Sequence, residues 1–148
     1  MTTSRVDELV CFAIYAAANA TAQAYRQVLA PWDLTYTQFL VLVVLDSDEQ
    51  TVSTIGQELG LDSGTLSPLL GRLESRGLVS RRRRVDDERS VTVSLTADGR
   101  RTHDAVADAV GCVAPAFFAA TDDPAALIRQ LHDVTRNMKQ LTEERRAS

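Results

Sequence analysis

LDSGTLSPLLGRLESRGLVSRRRRVDDERSVTVSL, residues 61–95, changes its hydrophobic period half-way, and the change decides the fold. In its first half Leu66, Leu69, Leu70 and Leu73 recur at i, i+3, i+4 and i+7, the signature of one buried helical face. Asp62 is a suitable N-cap for that helix and Gly77 a suitable stop. The opposite face holds Gly64, Pro68, Gly71 and Ser75, flanked by Thr65, Ser67 and Arg72, so it is small and polar. Pro68 sits in the second turn, where its missing N–H frees the carbonyl of Gly64 and predicts a slight bend. After Gly77 the period becomes two: Val91, Val93 and Leu95 alternate with Ser90, Thr92 and Ser94. The acidic turn Asp86, Asp87, Glu88 separates this strand from residues 79–84 and predicts a two-stranded hairpin.

The charge of the same stretch is unlike that of the chain. Residues 72–89 carry seven arginines (72, 76, 81, 82, 83, 84 and 89) against four acids, a net +3 in a chain of net −4. An acidic body with one concentrated basic hairpin is the electrostatic pattern of a nucleic-acid binder, because neutralising phosphates releases counterions. Arg81, Arg82, Arg83 and Arg84 are therefore candidate phosphate contacts. The alternative is that the run merely solvates an edge strand, and the small-residue helix face beside it favours DNA.

Working outward, 148 residues with 45% apolar content suit one globular domain, or one core with an attached dimerisation region. Two cysteines, Cys11 and Cys112, are too few for a disulfide scaffold and have no metal-site spacing, so a reducing cytoplasm is the expected compartment. Residues 9–18 are uninterruptedly apolar, which superficially resembles a signal peptide. Asp7 and Glu8 oppose that reading, the helical pattern runs on through the expected cleavage region, and ten residues cannot cross a bilayer.

That first helix has two apolar stripes. Val6, Leu9, Val10, Ala13, Ala17, Ala20 and Ala24 form one, and Cys11, Tyr15, Ala18, Ala22, Tyr25 and Leu29 the other. A helix apolar on both sides is buried on both, here between its own domain and a partner subunit. By spacing alone Cys11 is then an inert core thiol. Pro31 and Trp32 break the chain, Thr35 and Gln38 form a capping box for a helix from Tyr36 to about Leu45, and residues 46–50 read as a charged loop. Thr51 or Ser53 caps a short helix with Ile55 and Leu59 inward, ending at Gly60. Two short helices joined by a turn, followed by a hairpin, make a winged helix-turn-helix.

Beyond Leu95, Thr96 caps another helix, with Asp98 placed well against its dipole, and Gly111 and Pro115 interrupt it. From Asp123 and Pro124 a last helix carries Leu127, Leu131, Val134, Met138 and Leu141 at steps of four, three, four and three, a coiled-coil seam. His103 and His132 have no ligand set beside them in sequence, so no metal site is expected, and no phosphate loop, triad or carboxylate pair points to an enzyme or a cofactor. The expected architecture is mainly α with a small β-hairpin wing. Residues 35–96 form the winged helix-turn-helix domain, and residues 1–34 and 97–148 a helical dimerisation region built by both chain ends.

Residues 77–99 (GLVSRRRRVDDERSVTVSLTADG), with this order of helices, resemble the MarR family of winged-helix regulators. Residues 11–25 (CFAIYAAANATAQAY), 34–42 (LTYTQFLVL) and 61–78 (LDSGTLSPLLGRLESRGL) are similar to its organic-hydroperoxide-sensing branch, where a proline also stands at the position of Pro68. The resemblance implies that Cys11 is the peroxide-reacting cysteine, that Tyr25 and Tyr36 supply hydroxyls to its sulfur from the other subunit, and that Tyr15 lines the pocket. Phenolic donors stabilise a thiolate, which is the form that attacks a peroxide. It also implies that Asp62, Ser63, Thr65 and Arg72 contact DNA from the helix, with Asp87 positioning Arg89 for the minor groove. In some members a second cysteine resolves the oxidised one, a role Cys112 would fill; other members use small thiols.

The sequence thus predicts a cytoplasmic homodimeric repressor that binds a palindromic operator in double-stranded DNA and is released by an organic hydroperoxide. A MarR-type repressor released by a phenolic or aromatic ligand, with Cys11 structural, is the alternative. A thiol peroxidase would leave the basic hairpin unexplained.

Overall fold

A computed structural model of the chain describes residues 6, 8–83 and 90–147. Its elements are α1 (Val10–Leu29), a 3-10 turn (Ala30–Trp32), α2 (Tyr36–Val44), β1 (Gln50–Thr51), α3 (Val52–Leu59), α4 (Ser63–Ser75), β2 (Val79–Arg83), β3 (Val91–Leu95), α5 (Ala97–Val110), α6 (Ala114–Phe118) and α7 (Pro124–Ala147). Residues 1–110 form one compact unit and residues 111–148 a second.

Local chemistry sets most of the boundaries. The Thr35 N–H donates to Gln38 Oε1 (2.9 Å) while the Gln38 N–H donates to Thr35 Oγ1 (3.2 Å), a complete capping box at the start of α2. Thr51, rather than Ser53, caps α3 by accepting from the Thr54 N–H (3.0 Å). Gly60, at φ 65°, makes the left-handed turn between α3 and α4. Gly77, at φ 71°, closes α4: its N–H donates to the Glu74 carbonyl and the Leu78 N–H to the Leu73 carbonyl, the paired bonds of a Schellman ending. Helix α4 runs unbroken through Pro68.

The core lies where α2, α3, α4, α5 and the sheet converge. Val41, Leu42, Ile55, Leu66, Leu70, Leu73, Val93 and Val106 are all at most 1% exposed. Leu69 is half-buried and packs against this cluster. Two expectations need correction. The expected hairpin of β2 and β3 is present, but a third strand extends it to the order β1-β3-β2, because Gln50, read as the end of a loop, and Thr51, which also caps α3 as expected, pair with Val93 and Thr92. A two-residue strand is too short to show alternation. Helix α1 also begins at Val10, not near Val6, since Leu9 is extended and its side chain caps nothing. The hairpin turn expected at Asp86, Asp87 and Glu88 lies outside the described residues.

Helix α5 is fastened to the end of α4. The Thr96 N–H donates to the Leu78 carbonyl (3.1 Å), Thr96 Oγ1 lies 2.5 Å from the Gly77 carbonyl, and the Gly99 N–H donates back to Thr96 Oγ1 (2.9 Å). Gly99 is buried so tightly that a Cβ built there would stand 1.9 Å from the Leu78 carbonyl oxygen. At its C-terminal end α5 stops at Val110, and in the second unit the Asp123 carboxylate caps α7 by accepting from the Ala126 N–H (2.9 Å).

Gly99→Ala must therefore push α5 off the end of α4, since the obstructing atom is backbone. The expected loss is about 1–3 kcal/mol of unfolding free energy, read by urea titration at fixed protein concentration. An unchanged midpoint would contradict the close approach.

Candidate nucleic-acid interface and thiol site

Helices α3 and α4 with the Gly60 turn form the helix-turn-helix. With Leu66, Leu70 and Leu73 buried inward, α4 turns Ser63, Gly64, Thr65, Ser67, Pro68 and Arg72 to solvent. Its N-terminus is ordered by Asp62, whose Oδ1 accepts the Thr65 N–H (2.9 Å) and whose Oδ2 accepts the Thr65 hydroxyl (3.0 Å). With its proton committed to Asp62, the Thr65 oxygen is left as an acceptor toward any ligand. Those two bonds, the backbone one first, hold the Asp62 carboxyl below its ordinary value. Between this helix pair and the sheet lies a cleft of 470 Å³ lined by Ser53, Ser67, Arg81 and Ser90 among others.

The arginines of β2 differ in what they bind. Arg81 donates from Nε (2.8 Å) and Nη2 (2.5 Å) to Glu74 Oε2, tying the wing strand to α4. That bonding holds the Glu74 carboxyl below its ordinary value. Arg82 approaches Glu49 at 3.5 Å, an exposed pair that contributes little in water. Arg72 and Arg83 have no ion pair among the described residues. Arg84, expected as a phosphate contact, and Asp87 with Arg89, expected as the minor-groove pair, lie outside the described residues.

The thiol candidates occupy α1 and its surroundings. Cys11 is exposed in the second position of α1, and Tyr15, 63% exposed, follows one turn later on the same side. Tyr25 stands near the other end, its ring 4.4 Å from that of Tyr36 and 6.2 Å from that of Phe39. Fourteen residues of helix separate Cys11 from Tyr25, a rise of about 21 Å. Within one chain the fold therefore joins Tyr25 to Tyr36 and keeps Cys11 away from both. Leu9 (49%), Val10 (71%) and Phe12 (36%) are exposed beside the thiol. Cys112 is exposed at the turn after α5, in the second unit, where Leu131, Met138 and Leu141 of the expected seam are also exposed.

Three features had no signal in sequence. Arg76 reaches two carbonyls of the turn between α1 and α2. The Glu74 and Arg81 pair joins elements seven residues apart. His103, read as lacking neighbours, has its Nδ1 3.3 Å from Asp46 Oδ1 and 3.1 Å from Asp104 Oδ1. Arg100 pairs with the same Asp46 oxygen at 3.2 Å, so this cluster ties α5 to the end of α2.

Residues 23–106 match the family model of the transcriptional regulator SarA/Rot. The chain belongs to this family of winged-helix, DNA-binding transcriptional regulators, within the MarR superfamily. It is 38% identical over 110 residues to the organic hydroperoxide resistance transcriptional regulator of Bacillus subtilis, covering 74% of this chain and 75% of that one, which supports the hydroperoxide-regulator branch. It is 54% identical over 96 residues to the regulator TtmR of Methylorubrum extorquens, covering 64% of this chain but only 49% of TtmR's length. Reduced AbfR bound to DNA is similar in structure, with a TM-score of 0.76 at 33% identity, covering 87% of this chain and 91% of that one. The same protein, from Staphylococcus epidermidis, has also been solved overoxidised on DNA and with its disulfide formed. These relatives are regulators of transcription, not enzymes. Among the described residues no helix is long and apolar enough to cross a membrane.

The depressed Asp62 carboxyl sets a pH dependence. Its contribution to the first turn of α4 is fully present above the ordinary value of 3.8 and is lost as pH falls through the lower folded value. Asp62→Ala should remove it at every pH, so hydrogen exchange at the Thr65 amide should quicken at neutral pH in the variant and only in strong acid in the native protein. Equal exchange at neutral pH would mean that Asp62 does not order this turn.

Proposed function

We propose that this protein is a homodimeric repressor that senses organic hydroperoxides through Cys11 and leaves its operator when that thiol is oxidised to a disulfide. The observation that carries the reading is the separation of Cys11 from the Tyr25 and Tyr36 pair along α1, combined with the exposed apolar surface beside the thiol. A second copy packed on α1 brings one chain's tyrosines to the other's sulfur, which makes the thiol site a property of the dimer. Residues 1–34 and 97–148, with the apolar stripe of α7, supply that dimer contact. In the DNA-binding part, Asp62, Ser63, Thr65, Ser67 and Arg72 face the major groove, the β2 arginines meet phosphates, and Asp87 with Arg89 reaches the minor groove.

The chemistry follows from the thiolate. Sulfur attacks the terminal peroxide oxygen, the O–O bond breaks, the alkoxide takes a proton to leave as an alcohol, and Cys11 becomes a sulfenic acid. A second thiol, that of the partner's Cys112 or a small thiol, displaces water and forms a disulfide. Oxidation removes the acceptor that the tyrosine hydroxyls held, and the new bond pulls the site apart, turning the wings away from the operator. That AbfR has been solved reduced, overoxidised and with its disulfide formed supports a cysteine that is oxidised as the sensing group. Release would turn on a gene for peroxide detoxification.

Operator binding by fluorescence anisotropy, with and without stoichiometric cumene hydroperoxide, tests this reading. The native protein should release DNA and Cys11→Ser should stay bound, with affinities about tenfold or more apart after oxidant. Release of both, or of neither, would remove Cys11 as the sensor and favour a ligand-released regulator.

A further inference from the structure

Arg76 ends the recognition helix, yet its guanidinium serves another segment. Nη1 donates to the Asp33 carbonyl (2.6 Å) and Nη2 to the Trp32 carbonyl (2.5 Å), more than forty residues earlier in the chain. These carbonyls belong to the turn between α1 and α2, which the Asp33 N–H closes by donating to the Ala30 carbonyl (3.0 Å), and Asp33 is the one non-glycine at positive φ (50°) among the described residues. A left-handed aspartate is a costly turn residue, tolerated where neighbouring bonds hold it. The planar fork of arginine suits two adjacent carbonyls, which an ammonium cannot bridge in fixed geometry. Two residues after Asp33 the Thr35 cap starts α2, and Tyr36, paired with Tyr25, is its first residue.

The same end of α4 has a second attachment. Glu74 accepts both bonds from Arg81, so β2 follows any movement of this helix end. The tyrosine-bearing turn, the DNA-reading helix and the wing strand are thus fastened at one place, all within the first compact unit.

We propose that Arg76 is a positioning residue: it couples the Trp32–Asp33 turn, and through it Tyr36, to the recognition helix, while the Glu74–Arg81 pair carries the same constraint to the wing. The input from oxidised Cys11 rests on the function proposed above; the coupling itself does not. It acts in both directions, because a constraint through which the turn moves the helix also lets DNA on the helix change the turn.

Trp32 is the only tryptophan, so its fluorescence reports on the turn directly. The test follows Trp32 emission of the full-length protein as it is titrated with a duplex carrying the inverted repeat upstream of its own gene, for the native protein, Arg76→Ala and Arg76→Lys. Circular dichroism melts establish that each variant is folded, and Arg76→Lys keeps the charge at the helix end should the alanine variant unfold. Native emission should shift on DNA binding, and the shift should be lost in Arg76→Ala and largely lost in Arg76→Lys, even at DNA concentrations that saturate each protein. A native protein whose emission ignores DNA, or variants that shift as the native protein does, would overturn the proposal. In parallel, when native protein and Arg76→Ala are compared at the same extent of Cys11 sulfenic acid, trapped with dimedone, oxidation should weaken DNA binding about tenfold less in Arg76→Ala. If oxidation fails to release the native protein although the Trp32 shift needs Arg76, the sensor reading falls and the coupling stands.

Discussion

A helix cannot be shortened, and that constraint governs the rest of this molecule. Helix α1 holds Cys11 at one end and Tyr25 near the other, about 21 Å apart, with the Tyr36 ring tilted against that of Tyr25. No side-chain rotation within one chain closes that distance. The exposed Leu9, Val10, Phe12 and Tyr15 around the thiol form an apolar face of the kind that marks an interface. The redox site proposed above, assembled from two chains, rests on these two facts together. It has a useful physical consequence, because a bond made or broken at the thiol then acts between subunits, where the spacing of two recognition helices on an operator is set.

Helix α4, the second helix of the helix-turn-helix, is the proposed receiver of that geometry. Its leucines tie it into the core, and Asp62 orders its exposed first turn. At the other end the Gly77 turn fastens it to α5, Glu74 holds the wing strand, and Arg76 holds the turn before α2. A helix packed and anchored at so many points moves as a body or not at all. Packed interfaces of this sort have few discrete arrangements rather than a continuum, which suits a switch.

What was legible in sequence was local. Thr35 with Gln38, Thr51, Asp62, Gly77 and Thr96 act within three or four residues of themselves, so their types and spacing announce the elements they bound. The leucine period of α4 and the alternation of β3 were readable for the same reason. Strand β1 was not, since two residues have no period, and its pairing with Val93 depends on a fold closed elsewhere. The site was legible only in part. Spacing made Cys11 a core thiol, whereas in the single chain it is exposed, and only the family resemblance pointed to its chemistry. The bonds of Arg76 to Asp33, of Arg81 to Glu74 and of His103 to Asp46 join residues that no local pattern relates. Composition could say that the wing is basic, but not that Arg81 is already engaged within the chain.

The central claim is that each thiol site is shared between two subunits, and trans-complementation tests it most directly. One subunit carries Cys11→Ser with native tyrosines; the other carries Tyr25→Phe and Tyr36→Phe with native Cys11. Neither homodimer has a complete site, but the heterodimer has one if the tyrosines of one chain serve the sulfur of the other. The rate of Cys11 oxidation by cumene hydroperoxide, followed by trapping of the sulfenic acid, should return to the native value in the heterodimer. A heterodimer no faster than the tyrosine-substituted homodimer would contradict the account.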